Sequence, residues 1–214
     1  MNMDQDQSKI LLVEGLDDKR VITEILHAWD TPCPHIEPCG GCENLFRMLK
    51  GYISNPGCYK VIGVVLDADA NPEGRMQHFV EILKGSGRYD VERIGALSAG
   101  GLVIGMGGED AARVGLWIMP DNQSHGMLED FLAGLADAVH PELLVEAERA
   151  LVNLERNEIQ QYTPAHRPKA KMHTYLAWQK EPGRTLACAV AKHYFDASSE
   201  KARPFIDWVT RLYA

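Results

Sequence analysis

No stretch of this 214-residue chain approaches the ~18 consecutive apolar residues that a bilayer-spanning helix needs. Nor does the segment Met1 to Ser8 carry the basic start and apolar run of an export signal. Neither membrane insertion nor export is expected. The cysteines, Cys33, Cys39, Cys42, Cys58 and Cys188, are odd in number and come without an export signal. Reduced thiols in a cytoplasmic protein are therefore expected, not a disulfide framework. Cationic excess is missing as well. A formal charge of −8 argues against a protein that coats nucleic acid by electrostatics alone, because that affinity comes from cations that displace counterions. There is no internal repeat and no low-complexity linker.

What is present is an ordinary globular composition, 45% hydrophobic and 24% charged, so a packed core is expected rather than disorder. The charge is unevenly spread. Residues 1–159 hold 13 Lys/Arg against 26 Asp/Glu, while residues 160–214 hold 9 against 4. An acidic body with a basic tail suits a metal-loaded acidic site flanked by a phosphate-facing segment, and equally suits a tail that packs on the body.

The apolar pattern begins with Lys9-Ile10-Leu11-Leu12-Val13, a short continuous run of the kind a doubly covered parallel strand needs, ended by Glu14-Gly15. Val21, Ile22, Ile25, Leu26 and Trp29 then recur at helical spacing behind Asp17 and Asp18. A weaker strand at His35 to Pro38 leads through Gly40-Gly41 into a helical face of Leu45, Phe46, Leu49 and Ile53. The strongest strand pattern, Val61 to Leu66, ends at Asp67-Ala68-Asp69 and is followed by a helix opened by Pro72. A glycine-rich stretch from Gly95 to Gly108 contains a short strand at Leu102-Val103-Ile104, and another follows at Val114 to Met119. Helical patterns cover Met127 to Leu135, Glu142 to Asn157 and the tail. Strands alternating with helices predict an α/β fold with a doubly wound, mainly parallel sheet and helices on both faces. Residues 1–135 are expected to form the α/β domain, and 136–214 a helical extension with a net basic tail packed on it.

In such a sheet the carboxyl ends of the parallel strands share one edge, where ligands bind. Glu14 and Asp67 each end a strand, and Asp67-Ala68-Asp69, if it stays extended, directs two carboxylates beyond the same edge. Crowded carboxylates raise one another's pKa and are costly unless they hold protons or a metal; their hard oxygens select Mg²⁺, Mn²⁺ or Ca²⁺ over zinc. The plainer reading makes Asp17 and Asp18 helix caps, Asp67 and Asp69 turn residues, and Glu14 half of an ion pair.

Taken together, Leu11-Leu12-Val13-Glu14-Gly15-Leu16-Asp17-Asp18 and Val65-Leu66-Asp67-Ala68-Asp69 resemble the two motifs of the toprim family, over roughly residues 9–120. Toprim domains occur in topoisomerases, bacterial primases, ribosomal-RNA maturases and nucleases of the overcoming-lysogenization-defect group. The resemblance implies a toprim-like sheet in which Glu14, Asp67 and Asp69 gather Mg²⁺ or Mn²⁺ for phosphodiester chemistry on nucleic acid or nucleotide. By position, Glu14 becomes a metal ligand or general base, Asp67 and Asp69 metal ligands, and Asp18 a ligand of a second ion. A two-metal site needs further carboxylates. Asp121, Glu129 and Asp130 follow a late strand, and are either ligands or turn and first-turn helix residues. Lys171, with Lys169, is the expected phosphate contact, as in several toprim nucleases, or else surface charge. The chain lacks the helicase, zinc ribbon, ATPase motif and tyrosine segment of whole primases and topoisomerases. It is most similar to small toprim-related proteins, including around Lys171-Met172-His173-Thr174-Tyr175-Leu176-Ala177.

Three other readings compete. A toprim-fold module that binds metal, nucleotide or a protein without turnover fits the same residues. Cys39-x-x-Cys42 is half a zinc site or a redox pair, but Cys33 and Cys58 have no paired spacing. Gly105-x-Gly107 lacks the strand, helix and downstream acid of a dinucleotide fingerprint.

Overall fold

The computed structural model of the chain describes residues 8–105 and 110–214. Gly107 of the Gly105-x-Gly107 pair lies outside the described residues, as does most of the polar start. Strands Lys9–Val13 (β1), His35–Pro38 (β2), Val61–Asp67 (β3), Leu102–Ile104 (β4) and Arg113–Met119 (β5) form a single sheet in the order β2-β1-β3-β5-β4. All neighbours are parallel except β4, which runs antiparallel along β5 at the edge. Helices are Leu16–Ala28 (α1), Cys42–Ser54 (α2), Pro72–Ser86 (α3), Leu128–Ala136 (α4), Pro141–Arg156 (α5), Arg167–Ala177 (α6), Leu186–Ala191 (α7) and Arg203–Tyr213 (α8). Among the described residues no helix is long and apolar enough to cross a membrane.

The sheet is buried on both faces, which is why its central strands are apolar without alternation. Leu11, Val13, Val61, Val65, Trp117 and Met119 point into one core, with α1 and α4 to α8. Ile10, Leu12, Ile62, Val64, Leu66 and Leu116 point into the other, with α2 and α3. The chain passes from β1 outward to β2, then back over β1 to β3. Since parallel crossovers are right-handed, this reversal sends α1 to one face and α2 to the other. It also opens a crevice at the carboxyl ends of β1 and β3, the position where such sheets take ligands. β2 is an edge strand, which accommodates Pro38.

Two glycines let the last helix reach the sheet. Gly63 and Gly115 are cross-strand partners on β3 and β5. A Cβ at Gly115 would stand 2.7 Å from Leu212 Cδ2, and one at Gly63 would stand 2.6 Å from Leu11 Cδ1 and 3.0 Å from Leu212 Cδ2. The end of α8 fills this furrow. Tyr213 donates its hydroxyl hydrogen to the Ile10 carbonyl at 2.7 Å, Lys9 Nζ donates to the Tyr213 carbonyl at 3.0 Å, and Arg113 donates to the Ala214 carbonyl at 3.0 Å. Leu135, Ala136, Leu144 and Phe205 share one continuous core, so the helices beyond residue 135 pack directly on the α/β body.

Candidate acidic site at the sheet's carboxyl edge

Glu14 is the first residue past β1, and the loop after β2 fixes its backbone. The amides of Gly40 and Gly41 both donate to the Glu14 carbonyl at 2.9 Å, and that of Cys39 to the Val13 carbonyl at 2.9 Å. Gly40 and Gly41 have φ of +76° and +114°, conformations that a side chain would strain. The Glu14 carboxylate then crosses to β3, where its Oε1 accepts from the Asp67 amide at 2.9 Å. Asp67 continues the chain of contacts, its Oδ1 accepting from the Leu128 amide at 2.9 Å at the start of α4. Asp18, in the first turn of α1, accepts from the Gly15 amide at 2.9 Å, so it caps its own helix while facing the edge. Glu129 is the second residue of α4 and only 6% exposed.

These four acids act on one another. Burial first, and then the charges of Asp18, Glu14 and Glu129, together push the Asp67 carboxyl up to about 8 against the opposing bond from the Leu128 amide. Asp18 is raised to about 6, mainly by burial, with Glu129 adding and Lys169 opposing. Glu14 is raised by burial against the opposing bond from the Asp67 amide, with Asp18 adding. Glu129 is raised by burial and relieved by Lys169 and His173. Among the described residues none of the four forms an ion pair within 4.0 Å. Arg75 and Lys169 offset part of their charge from beyond ion-pair distance, and the remainder is left to be balanced by protons or by a cation from outside. The donors are all carboxylate oxygens, the chemistry that Mg²⁺ and Mn²⁺ prefer. Among the described residues, though, no three His, Cys, Asp or Glu side chains already converge as a metal cage. The match is one of donor chemistry, and an ion would have to draw the carboxylates inward.

Four expected residues are engaged by partners of their own, although the charge of Asp69 still bears on Glu14. The stretch after Asp67 does not stay extended: Asp69 has φ of +50°, its backbone bonds both ways with Gly126, and its carboxylate lies 2.5 Å from Arg75 Nη2. Asp121 closes a turn, accepting from the Gln123 amide at 3.0 Å, the Ser124 amide at 2.7 Å and the Ser124 hydroxyl at 2.8 Å; these bonds hold its carboxyl low despite partial burial. Lys171 pairs with Glu148 at 3.0 Å, beside Arg167, which bridges Glu148 and Glu155. Asp130 accepts from the Met127 amide and caps α4.

Lys169 and His173, one helical turn apart on the exposed face of α6, are the basic side chains that bear on Glu129. Their i, i+4 spacing is visible in the sequence, but what they face is not. Arg75 is a functional candidate the sequence reading passed over; only its place in the first turn of α3, after Asp69, marks it. It also donates to Cys42 Sγ at 2.9 Å. Burial raises the thiols of Cys39 and Cys42 to about 11, with the charge of Glu14 contributing to both, so both stay protonated at neutral pH and make poor nucleophiles. All five cysteines are free.

Neither a curated protein nor a solved structure matches the chain. One family model, described as "Protein of unknown function (DUF3226)", matches residues 8–214. The chain thus belongs to the DUF3226 family across its described fold and its acidic edge.

Proposed function

We propose that this chain is a divalent-metal-dependent enzyme of toprim type that acts on phosphodiesters, nuclease-like, in nucleic acid or nucleotide. The reading is carried by the meeting of Glu14, Asp18, Asp67 and Glu129 from three separate segments at the crevice between β1 and β3, with Asp67 pushed up to about 8. Buried acids so arranged are costly to the fold and are expected where a cation is to be bound. Glu14, Asp67, Asp18 and Glu129 would hold Mg²⁺ or Mn²⁺. Bound there, such an ion polarises a phosphoryl oxygen and activates water.

The protein's own residues supply the rest. The Asp67 and Leu128 amides each hold one oxygen of the Glu14 and Asp67 carboxylates, which keeps both acids at the crevice where an ion would draw them together. Lys169 lies across from the acids and offers positive charge to a phosphate, with the His173 ring beside it as a further donor, a part for which Lys171, tied to Glu148, is less available. A second reading, a toprim-fold module that binds metal, nucleotide or a protein without turnover, draws on the same residues.

Titration of Mn²⁺ and Mg²⁺ by calorimetry, for the wild type beside Asp67→Asn and Glu14→Gln, tests both. The same samples are then offered supercoiled and single-stranded DNA and RNA. The enzyme reading expects metal binding and metal-dependent cleavage, both lost in the variants. Binding without cleavage selects the module, and wild-type protein that takes up no metal sinks the enzyme reading and the metal-binding form of the module.

A further inference from the structure

We propose that Asp69 serves as the anchor of Arg75 rather than as a ligand of the ion, and that Arg75 receives a phosphate group of the substrate beside the acidic cluster. This rests on the metal-dependent reading above and sharpens it: the ligand set becomes Glu14, Asp18, Asp67 and Glu129.

The two aspartates of Asp67-Ala68-Asp69 part company in the fold. Asp67 closes β3 and turns its carboxylate to the start of α4. At Asp69 the backbone takes a left-handed φ of +50° and is pinned by two bonds to Gly126, at 2.8 and 2.9 Å. Its carboxylate is half exposed and held 2.5 Å from the Arg75 guanidinium, so its charge is already balanced. Glu129 is the opposite case. It is buried to 6% exposure, accepts no hydrogen bond from another described residue, and faces Asp18 and Asp67. An incoming ion gains more from Glu129, whose charge is only partly offset by Lys169 and which has no direct ion pair among the described residues, than from Asp69, whose ion pair must first be broken.

Arg75 is oriented from two sides. Nη2 points to Asp69, Nη1 donates to Cys42 Sγ at 2.9 Å, and its charge reaches Glu14. A guanidinium has five N–H donors in a planar fork. Among the described residues two partners are engaged, and the side chain is 28% exposed, so donors remain for a phosphate. Because the fork is held before substrate arrives, little entropy is lost when it binds.

Calorimetry on the full chain tests this in two steps, Mn²⁺ alone and then inorganic phosphate added to Mg²⁺-saturated protein. Asp67→Asn should lose Mn²⁺ affinity by about tenfold or more, while Asp69→Asn should stay within about threefold of wild type. Arg75→Gln should bind Mn²⁺ like wild type and bind phosphate about tenfold more weakly, with part of the loss recovered in Arg75→Lys. Loss of Mn²⁺ affinity in Asp69→Asn equal to that in Asp67→Asn would make Asp69 a ligand and overturn the proposal. Unchanged phosphate affinity in Arg75→Gln would remove the role of Arg75. Wild-type protein that binds no Mn²⁺ would overturn the metal-dependent reading itself, and the ligand set with it. That result differs from either failure above, in both of which wild-type protein still binds Mn²⁺.

Discussion

At the scale of single residues, Asp67 should set a pH dependence opposite to that of a salt-bridged carboxylate. Its folded pKa of about 8 stands above the ordinary 3.8, so between those limits the folded protein holds a proton that the unfolded chain has released. Stability is then fully present below pH 4 and is lost as pH rises through about 8, with a slope of up to about 1.4 kcal/mol per pH unit from this group. Asp67→Asn mimics the protonated acid and keeps an oxygen for the Leu128 amide. In chelator, urea unfolding should find this variant more stable than wild type at pH 8 and nearly equal at pH 4. A wild type and variant with parallel pH profiles would mean that Asp67 is not held protonated. Stability given up at one carboxylate is the expected mark of a site shaped for an ion.

At the scale of elements, α6 uses its two sides differently. Arg167 and Lys171 face α5 and join Glu148 and Glu155, a network that holds the Glu148 carboxyl down at about 2, chiefly through its bonds to Arg167. Lys169 and His173 face the acidic edge. Lys171→Gln should therefore cost at most about 1 kcal/mol in unfolding free energy, as a partly exposed pair. It should leave the salt dependence of nucleic-acid binding unchanged. Lys169→Gln should weaken binding of single-stranded DNA or RNA and lower the slope of log affinity against log salt by about one. Fluorescence anisotropy over a salt series reads both. Equal slopes for the two variants would take Lys169 out of contact with the backbone phosphates. The basic character of the tail was plain from composition, whereas the division of its charges between α5 and the acidic edge depends on how α6 is rotated against its neighbours.

At the scale of the whole molecule, the C-terminal helix is part of the sheet's own core. Gly115→Ala inserts a methyl group against Leu212, and overpacking of this kind costs about 1–3 kcal/mol. In Leu212→Ala the obstruction is gone, so the double variant should lose less stability than the sum of the two single changes, by urea midpoints. Strict additivity would show that α8 does not seat in the furrow. The net acidic body also implies that affinity for long nucleic acid is weak and falls steeply with salt.

The amino-acid pattern by itself determined that β1 and β3 are buried strands, that helices alternate with them, and that Glu14 and Asp67 stand at strand ends. Those features follow from local periodicity and from the ending of apolar runs, which need no knowledge of partners. It also left Asp69 beside Asp67 as an equal candidate, since two residues apart in an extended chain share a direction. Only the tertiary structure separated them, because the bridge to Gly126 and the left-handed turn at Asp69 depend on a loop nearly sixty residues further along the chain. The same holds for Glu129 and Arg75. Nothing near them in sequence says what they face, and their surroundings are set by strand order and by the connection from β2 over β1 to β3, contacts between segments that local pattern does not encode.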